Sequence, residues 1–203
     1  VTLLAVIDHG AGNLVSIAQG LRRAGAMVEV IDHPSSLANA DGVVLPGVGA
    51  TASVMEGIKA GGFEGPLRDL QVPLLGICVG MQVLFDGSEE DGAECLGLIP
   101  GSVHRLRATP RLPHIGWNEL KEARPDPILA GAGSIFYFVH SYAPVPTDPS
   151  TVIADAEYGE RFCAAVRSGR IVGTQFHPER SGENGLRLLA NFVHECQPGG
   201  DAA

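Results

Sequence analysis

Aromatic residues are scarce in this chain, at 5% of the sequence with a single tryptophan. A core built with so few rings rests on aliphatic packing, and any local run of rings stands out. Charged residues are also few, at 18%, and they lean acidic to a formal net charge of −9. That excludes a basic phosphate-binding face, and nucleic acid is not expected as a partner. The one basic run, Arg105–Leu106–Arg107 with Arg111, reads as a solvated edge or a protein contact. No apolar run approaches the ~20 residues of a membrane span. The N-terminal residues show no basic segment or cleavage pattern, and Leu3–Ile7 reads as a strand, so a cytoplasmic protein without membrane contact is expected. The four cysteines, Cys78, Cys95, Cys163 and Cys196, have no CxxC spacing and no neighbouring histidine pattern. This argues against a zinc site or a disulfide framework, and neither a metal nor a cofactor is expected.

What is present is a 45% hydrophobic chain of 203 residues, long enough to bury one full core. A single domain over 1–203 is expected, with 197–203 as a frayed tail. Leu3–Ile7, Met27–Ile31, Val43–Leu45 and Val72–Ile77 are short apolar runs of the kind that form buried parallel strands. Between them, Leu14, Ile17, Ala18, Leu21 and Ala24 recur at helical spacing, a short turn runs from Pro34, and helices are predicted near Ser53–Ala60 and Pro66–Leu70. Beyond Asp86 comes an acidic loop with Glu89, Glu90, Asp91 and Glu94. Brief runs follow at Val103–Leu106, Trp117–Leu120, Ile135–Val139, Val152–Glu157, Phe162–Val166 and Ile171–Gln175, before a last helix from Glu183 to Cys196 with Leu186, Leu189, Phe192 and Val193 on one face. The expected fold is α/β: a central, mostly parallel sheet flanked by helices, with an antiparallel or mixed extension in the second half.

The chemistry centres on Gly76–Ile77–Cys78–Val79–Gly80, where an apolar run ends on a cysteine between glycines and the helical pattern Met81, Val83, Leu84, Phe85 follows. That is the sequence form of a strand-to-helix elbow, which exposes its central side chain and tolerates only small neighbours. A helix N-terminus at Cys78 would favour an anionic sulfur. A nucleophilic thiol needs a base, and the base an orienting group. Among seven histidines, His177 is closely followed by a carboxylate in a constrained setting, His177–Pro178–Glu179 after the strand at Ile171–Thr174. Extended residues two apart share a face, so Glu179 can hold one imidazole nitrogen and leave the other for Cys78. The alternative is a capping histidine beside a surface glutamate. The backbone N–H of Val79 offers one oxyanion donor, and the glycine-rich Gly47–Val48–Gly49 either offers a second or is an ordinary tight turn. Gly10–Ala11–Gly12 fails as a dinucleotide loop, since Val15 stands where a third glycine is needed. Tyr137–Phe138–Val139–His140–Ser141–Tyr142 concentrates the rings, as a half-buried strand or as the wall of a pocket or partner surface.

Taken together, Gly76–Gln82 and His177–Glu179 resemble the class I, triad-type glutamine amidotransferases. Gly10–Leu14, Leu45–Gly49, Pro113–Asn118, Tyr137–Tyr142 and Gly173–Gly182, in this order and over nearly the whole chain, are similar to the glutaminase subunits of imidazole glycerol phosphate synthases. The resemblance implies that Cys78 attacks the side-chain amide of L-glutamine, that His177 protonates the departing ammonia and that Glu179 orients His177. It implies a glutamyl thioester, a substrate contact at Gln82, a grip on the amino-acid end by the backbone of Ser141 and Tyr142, and a mobile oxyanion strand at Gly47, Val48 and Gly49. It further implies a heterodimer with a (β/α)₈-barrel cyclase subunit that uses the ammonia for imidazole glycerol phosphate and an aminoimidazole carboxamide ribotide. The interface candidates are Asn13, Trp117, Asn118, Tyr137, Phe138 and Arg180. His9, Thr51 and Val79 depart from the residues common at those places, tyrosine, phenylalanine and leucine. The competing readings are the glutaminase of pyridoxal-phosphate or anthranilate synthesis, and a non-catalytic regulatory module.

Overall fold

Strands and helices alternate through the first half, as the apolar runs predict. The computed structural model describes residues 1–107, 111–121 and 124–197. The expected tail at 197–203 lies outside the described residues apart from Gln197, and Pro110, beside Arg111, is not described either. The chain runs β1 (Leu3–Ile7), α1 (Leu14–Arg23), β2 (Met27–Ile31), β3 (Gly42–Leu45), α2 (Thr51–Ala60), α3 (Glu64–Arg68), β4 (Leu74–Ile77) and α4 (Val79–Gln82). Then come β5 (Gly87–Ser88), β6 (Gly101–Arg105), β7 (His114–Lys121), β8 (Ile135–His140), β9 (Tyr142–Pro146), β10 (Val152–Glu157), β11 (Arg161–Ser168), β12 (Ile171–Thr174) and α5 (Gly182–Glu195).

The main sheet has nine strands in the order β2-β1-β3-β4-β12-β11-β10-β7-β8. From β2 to β12 all neighbours are parallel, and from β12 to β8 all are antiparallel. The mixed second half is therefore one continuous extension of the parallel sheet. A separate three-stranded sheet, β5-β6-β9, holds β9 at its edge. The pairing of β12 with β4 places Thr174 opposite Ile77. The segment leading to His177 thus leaves the sheet beside the elbow at Cys78, and this one register unites residues about a hundred positions apart.

Local rules explain most elements. Asn13 caps α1 by accepting from the Ser16 N–H. Ala50, at the start of α2, has no side chain for a cap. The acidic loop supplies it, with Glu90 accepting from Thr51 N–H at 3.1 Å and Asp91 from Ala52 N–H at 2.7 Å. On α5 the buried face is Gly185, Leu188, Leu189, Phe192 and Val193, while Leu186 is half-buried, which moves the predicted stripe by part of a turn. The stripe turns because α1 packs close: a Cβ at Gly20 would lie 2.8 Å from Leu189 Cδ1.

Several elements differ from expectation. α4 is one turn long, because the carbonyls of Val83, Leu84 and Phe85 accept from Leu96, Leu98 and Gly97 instead of continuing a helix. The argument for a helix dipole at Cys78 shrinks accordingly to the first peptide N–H groups of that turn. β7 begins at His114, three residues before the predicted strand, because its large apolar residues Ile115 and Trp117 face outward and break the usual pattern. β9 was not expected, since it contains Pro144 and Pro146. As an edge strand it tolerates both. Thr147 N–H bonds back to Pro100 O on the β6 side, so the alternating proline nitrogens point away from β6 and forfeit no bond to it. No helix among the described residues is long and apolar enough to cross a membrane.

Where β3 ends beside the elbow the fit is close: a Cβ at Gly80 would sit 1.9 Å from the Leu45 carbonyl oxygen. Gly80→Ala is expected to destabilise the protein by about 4 kcal/mol, as other changes that force backbone apart do, and urea unfolding of the purified variant checks this.

Candidate active site

Among the described residues Cys78 is the one non-glycine residue at positive φ, with φ 56° and ψ −112°. Holding it there costs about 1–3 kcal/mol, and two constraints enforce it. Cys78 N–H is bonded to Thr174 O at 2.7 Å on β12, and Cys78 O accepts from Met81 and Gln82 as α4 begins. The flanking glycines are explained by contact: a Cβ at Gly76 would fall 2.7 Å from Gly80 O, and one at Gly47 would fall 2.3 Å from Gly80 N.

The structure places the His177 and Glu179 side chains together. His177 Nδ1–H donates to Glu179 Oε1 at 2.8 Å, with both side chains almost fully buried. His177 Nε2 is buried with no hydrogen-bond partner among the described residues, and it is the nitrogen left facing the sulfur's side of the site. Burial alone would lower the imidazole's pKa, but its interactions with Cys78 and with the hydrogen-bonded Glu179 carboxylate outweigh this and raise it to about 10. The charged imidazolium is thus the favoured form of His177. His177 is pinned from behind as well: its N–H donates to Tyr137 O at 2.9 Å, and Ser181 Oγ donates to His177 O at 2.6 Å while accepting from Tyr137 N–H. Sequence reading gave Ser181 no role.

A cavity of about 230 Å³ opens over the sulfur, lined by Cys78, Val79, His177, Val48, Gly49, Gln82, Glu90, His140, Ser141 and Tyr142, with Pro113 and Val139. It brings together the predicted nucleophile, base, oxyanion and substrate residues, except that Gly47 packs behind the elbow backbone and does not line it. Glu90, read from sequence only as part of an acidic loop, stands at this wall. Gln175 is a second addition: fully buried, its Nε2 approaches Cys78 Sγ at 3.7 Å and its Oε1 accepts from Gln82 Nε2 at 3.1 Å. Glu179 reaches His177 from the 3-10 turn Pro178–Arg180 and not along an extended strand as expected, but alternation back from His177 could have found Gln175. Gln82 Nε2 also donates to Tyr142 O at 3.0 Å. A larger cavity, about 540 Å³ between β9 and β11, contains none of these groups. No cluster of three or more histidine, cysteine or acidic residues among the described residues is arranged to hold a metal ion.

The interface candidates separate. Trp117 and Tyr137 meet edge to face at 5.9 Å, and the Arg180 guanidinium lies 4.2 Å over the Tyr137 ring, forming one cluster. Asn13 is exposed and caps α1. Asn118 is half-buried and turned to His114 and Glu157 O. Phe138 is a correction: it is wholly buried, because β8 alternates Phe136, Phe138 and His140 inward against Ile135, Tyr137 and Val139 outward. No docking partner could reach it.

The chain belongs to the glutamine amidotransferase class-I family, whose model matches residues 5–196. Its relatives narrow this further. It is 50% identical over 199 residues to imidazole glycerol phosphate synthase subunit HisH of Synechococcus sp. (strain JA-3-3Ab), covering 94% of this chain and 92% of that one. The HisH subunit of Halobacterium salinarum is 48% identical, with 95% and 93% covered. Among solved structures, a chain of Thermotoga maritima PurLQS superposes with a TM-score of 0.73 at 18% identity, covering 97% of this chain and 99% of that one, and a structure titled glutamine amidotransferase with 0.71 at 22%, covering 95% and 97%. At those identities the likeness shows the fold.

The coupling of His177 to the sulfur has a direct test. In Cys78→Ala the raising contribution of the sulfur is gone while burial remains. The His177 imidazole, followed by nitrogen-15 NMR, is expected to titrate lower than in the wild type, by about one pH unit or more.

Proposed function

We propose that the cavity over Cys78 hydrolyses L-glutamine to glutamate and ammonia, and that the chain, read as one glutamine amidotransferase domain, is the glutaminase half of an imidazole glycerol phosphate synthase. The observation that carries the chemistry is the free, buried Nε2 of His177 on a ring locked by Glu179, beside a cysteine held at a strained elbow.

In this reading Cys78 Sγ gives its proton to His177 Nε2 and attacks the side-chain amide carbon of glutamine. The oxyanion that forms meets the N–H of Val79 and the Val48–Gly49 strand. His177 passes a proton to the amide nitrogen, the C–N bond breaks and ammonia departs, leaving a glutamyl thioester. A water molecule then gives its proton to His177 and attacks the thioester carbonyl, releasing glutamate and restoring the thiol. The Gln82 amide and the backbone of Ser141 and Tyr142 suit the amino-acid end of the substrate, and the Glu90 carboxylate suits its ammonium group.

Ammonia released into water would be protonated and lose its nucleophilicity, so the reading includes a partner that takes it up directly: the (β/α)₈-barrel cyclase subunit, in a cytoplasmic heterodimer of histidine biosynthesis. The chain's place among HisH subunits supports this, and the exposed Trp117–Tyr137–Arg180 cluster beside the His177 loop is a suitable docking face, with Asn13 as a further contact. The relatives' names disfavour pyridoxal-phosphate or anthranilate synthesis. The intact Cys78, His177 and Glu179 disfavour a silent module.

Glutamate release, measured with the barrel subunit and its ligand, is expected to fall about 10²–10⁴-fold in Glu179→Gln, as when another triad loses its orienting carboxylate; an unchanged rate would remove Glu179 from the mechanism. A glutamine-directed alkylating analogue is expected to label Cys78 alone among the four cysteines, read by peptide mass spectrometry. Labelling spread over the others, or none with the partner present, would sink the glutaminase reading.

A further inference from the structure

His114 and His140 are buried on neighbouring strands, paired directly across β7 and β8. Their hydrogen bonds have one consistent direction. The Tyr142 carbonyl can only accept, so His140 Nδ1 carries the hydrogen in their 2.9 Å contact. In a neutral ring that leaves His140 Nε2 bare, and it accepts from His114 Nδ1 at 3.2 Å. His114 Nε2 is then bare in turn and accepts from Asn118 Nδ2 at 3.4 Å. Both rings are held neutral: burial pushes His140 down to about 3, with His114 and His177 adding to it against the Tyr142 bond, and burial lowers His114. His114 is fixed in plane between Tyr158, at 4.1 Å, and Phe138, at 5.2 Å.

The chain of bonds continues into the site. Tyr142 O also accepts from Gln82 Nε2, whose other hydrogen goes to Gln175 Oε1, and Gln175 Nε2 approaches Cys78 Sγ. Neither Asn118 nor His114 lines the cavity.

We propose that Asn118, His114 and His140 form a buried directional hydrogen-bond relay that fixes His140 in its Nδ1–H tautomer and so holds the Tyr142 carbonyl and Gln82 amide in place, making His114 a positioning residue for glutamine. This rests on the reading of the cavity as the glutamine site. The relay begins one residue from exposed Trp117 and ends on the cavity wall, so strand β7 serves the outer face and the substrate wall together.

His114→Phe keeps the stacking and removes the donor, and His114→Gln restores a donor. Glutamine hydrolysis is measured on the full chain with its barrel subunit. His114→Phe is expected to raise the KM for glutamine about three- to tenfold, the worth of one hydrogen bond, with kcat within about twofold. His114→Gln should recover most of that loss, and Asn118→Ala should raise KM less. An unchanged KM in His114→Phe, or equal impairment in His114→Gln, overturns the relay. Independently, nitrogen-15 NMR of the wild-type chain should find His140 in the Nδ1–H tautomer alone, and a predominant Nε2–H tautomer would overturn the relay even if His114→Phe failed to fold. A wild-type complex that does not hydrolyse glutamine would instead overturn the glutaminase reading, leaving the tautomer result to stand or fall separately.

Discussion

The carbonyl oxygen of Leu45 faces Gly80 with no room for a Cβ. Much of the site depends on this close approach of two backbones. It sets the end of β3 against the elbow, which brings Val48 and Gly49 to the same cavity as Cys78 and Val79. It also helps to hold Cys78 at a positive φ, a conformation that a cysteine in a looser turn would leave. Packing alone brings these four residues to one edge of the cavity.

A second constraint acts from the opposite side. Parallel pairing of β4 with β12 puts Thr174 at the level of Ile77, and Thr174 O takes the Cys78 N–H. From there Gln175 and His177 reach the sulfur's surroundings, and Tyr137 and Ser181 clamp the His177 backbone from outside. The acidic loop contributes twice: Glu90 and Asp91 cap α2, and Glu90 also stands at the cavity wall. The helix that follows the oxyanion strand is thus started by a residue that also lines the cavity.

The parallel half of the sheet and the meeting of Cys78 with His177 at one cavity were legible because they follow short-range rules: glycines around an elbow, apolar runs, and a proline that keeps His177 extended. The reading failed where the third dimension overrides the local pattern. Phe138 looked like a partner contact because it sits among exposed-looking rings, but strand alternation turns it inward. α4 was read as a longer helix, yet its carbonyls were taken by the 96–98 loop, which no spacing announces. Glu90 and Ser181 carry no motif of their own; long-range pairing alone delivers them. Gln175 was within reach of alternation back from His177, whereas Glu179 meets His177 through the 3-10 turn at Pro178–Arg180, which extended spacing did not foresee.

The prolines of β9 have a consequence for the molecule among other molecules. A sheet edge normally offers a row of N–H donors to any extended chain that drifts past. At Pro144 and Pro146 the positions that would point away from β6 carry none. The strand that begins at Tyr142, and so carries part of the cavity wall, is thereby a poor template for further strand addition. Whatever approaches that edge is left to engage its side chains, and the geometry of the wall is shielded from being pulled into a growing ladder.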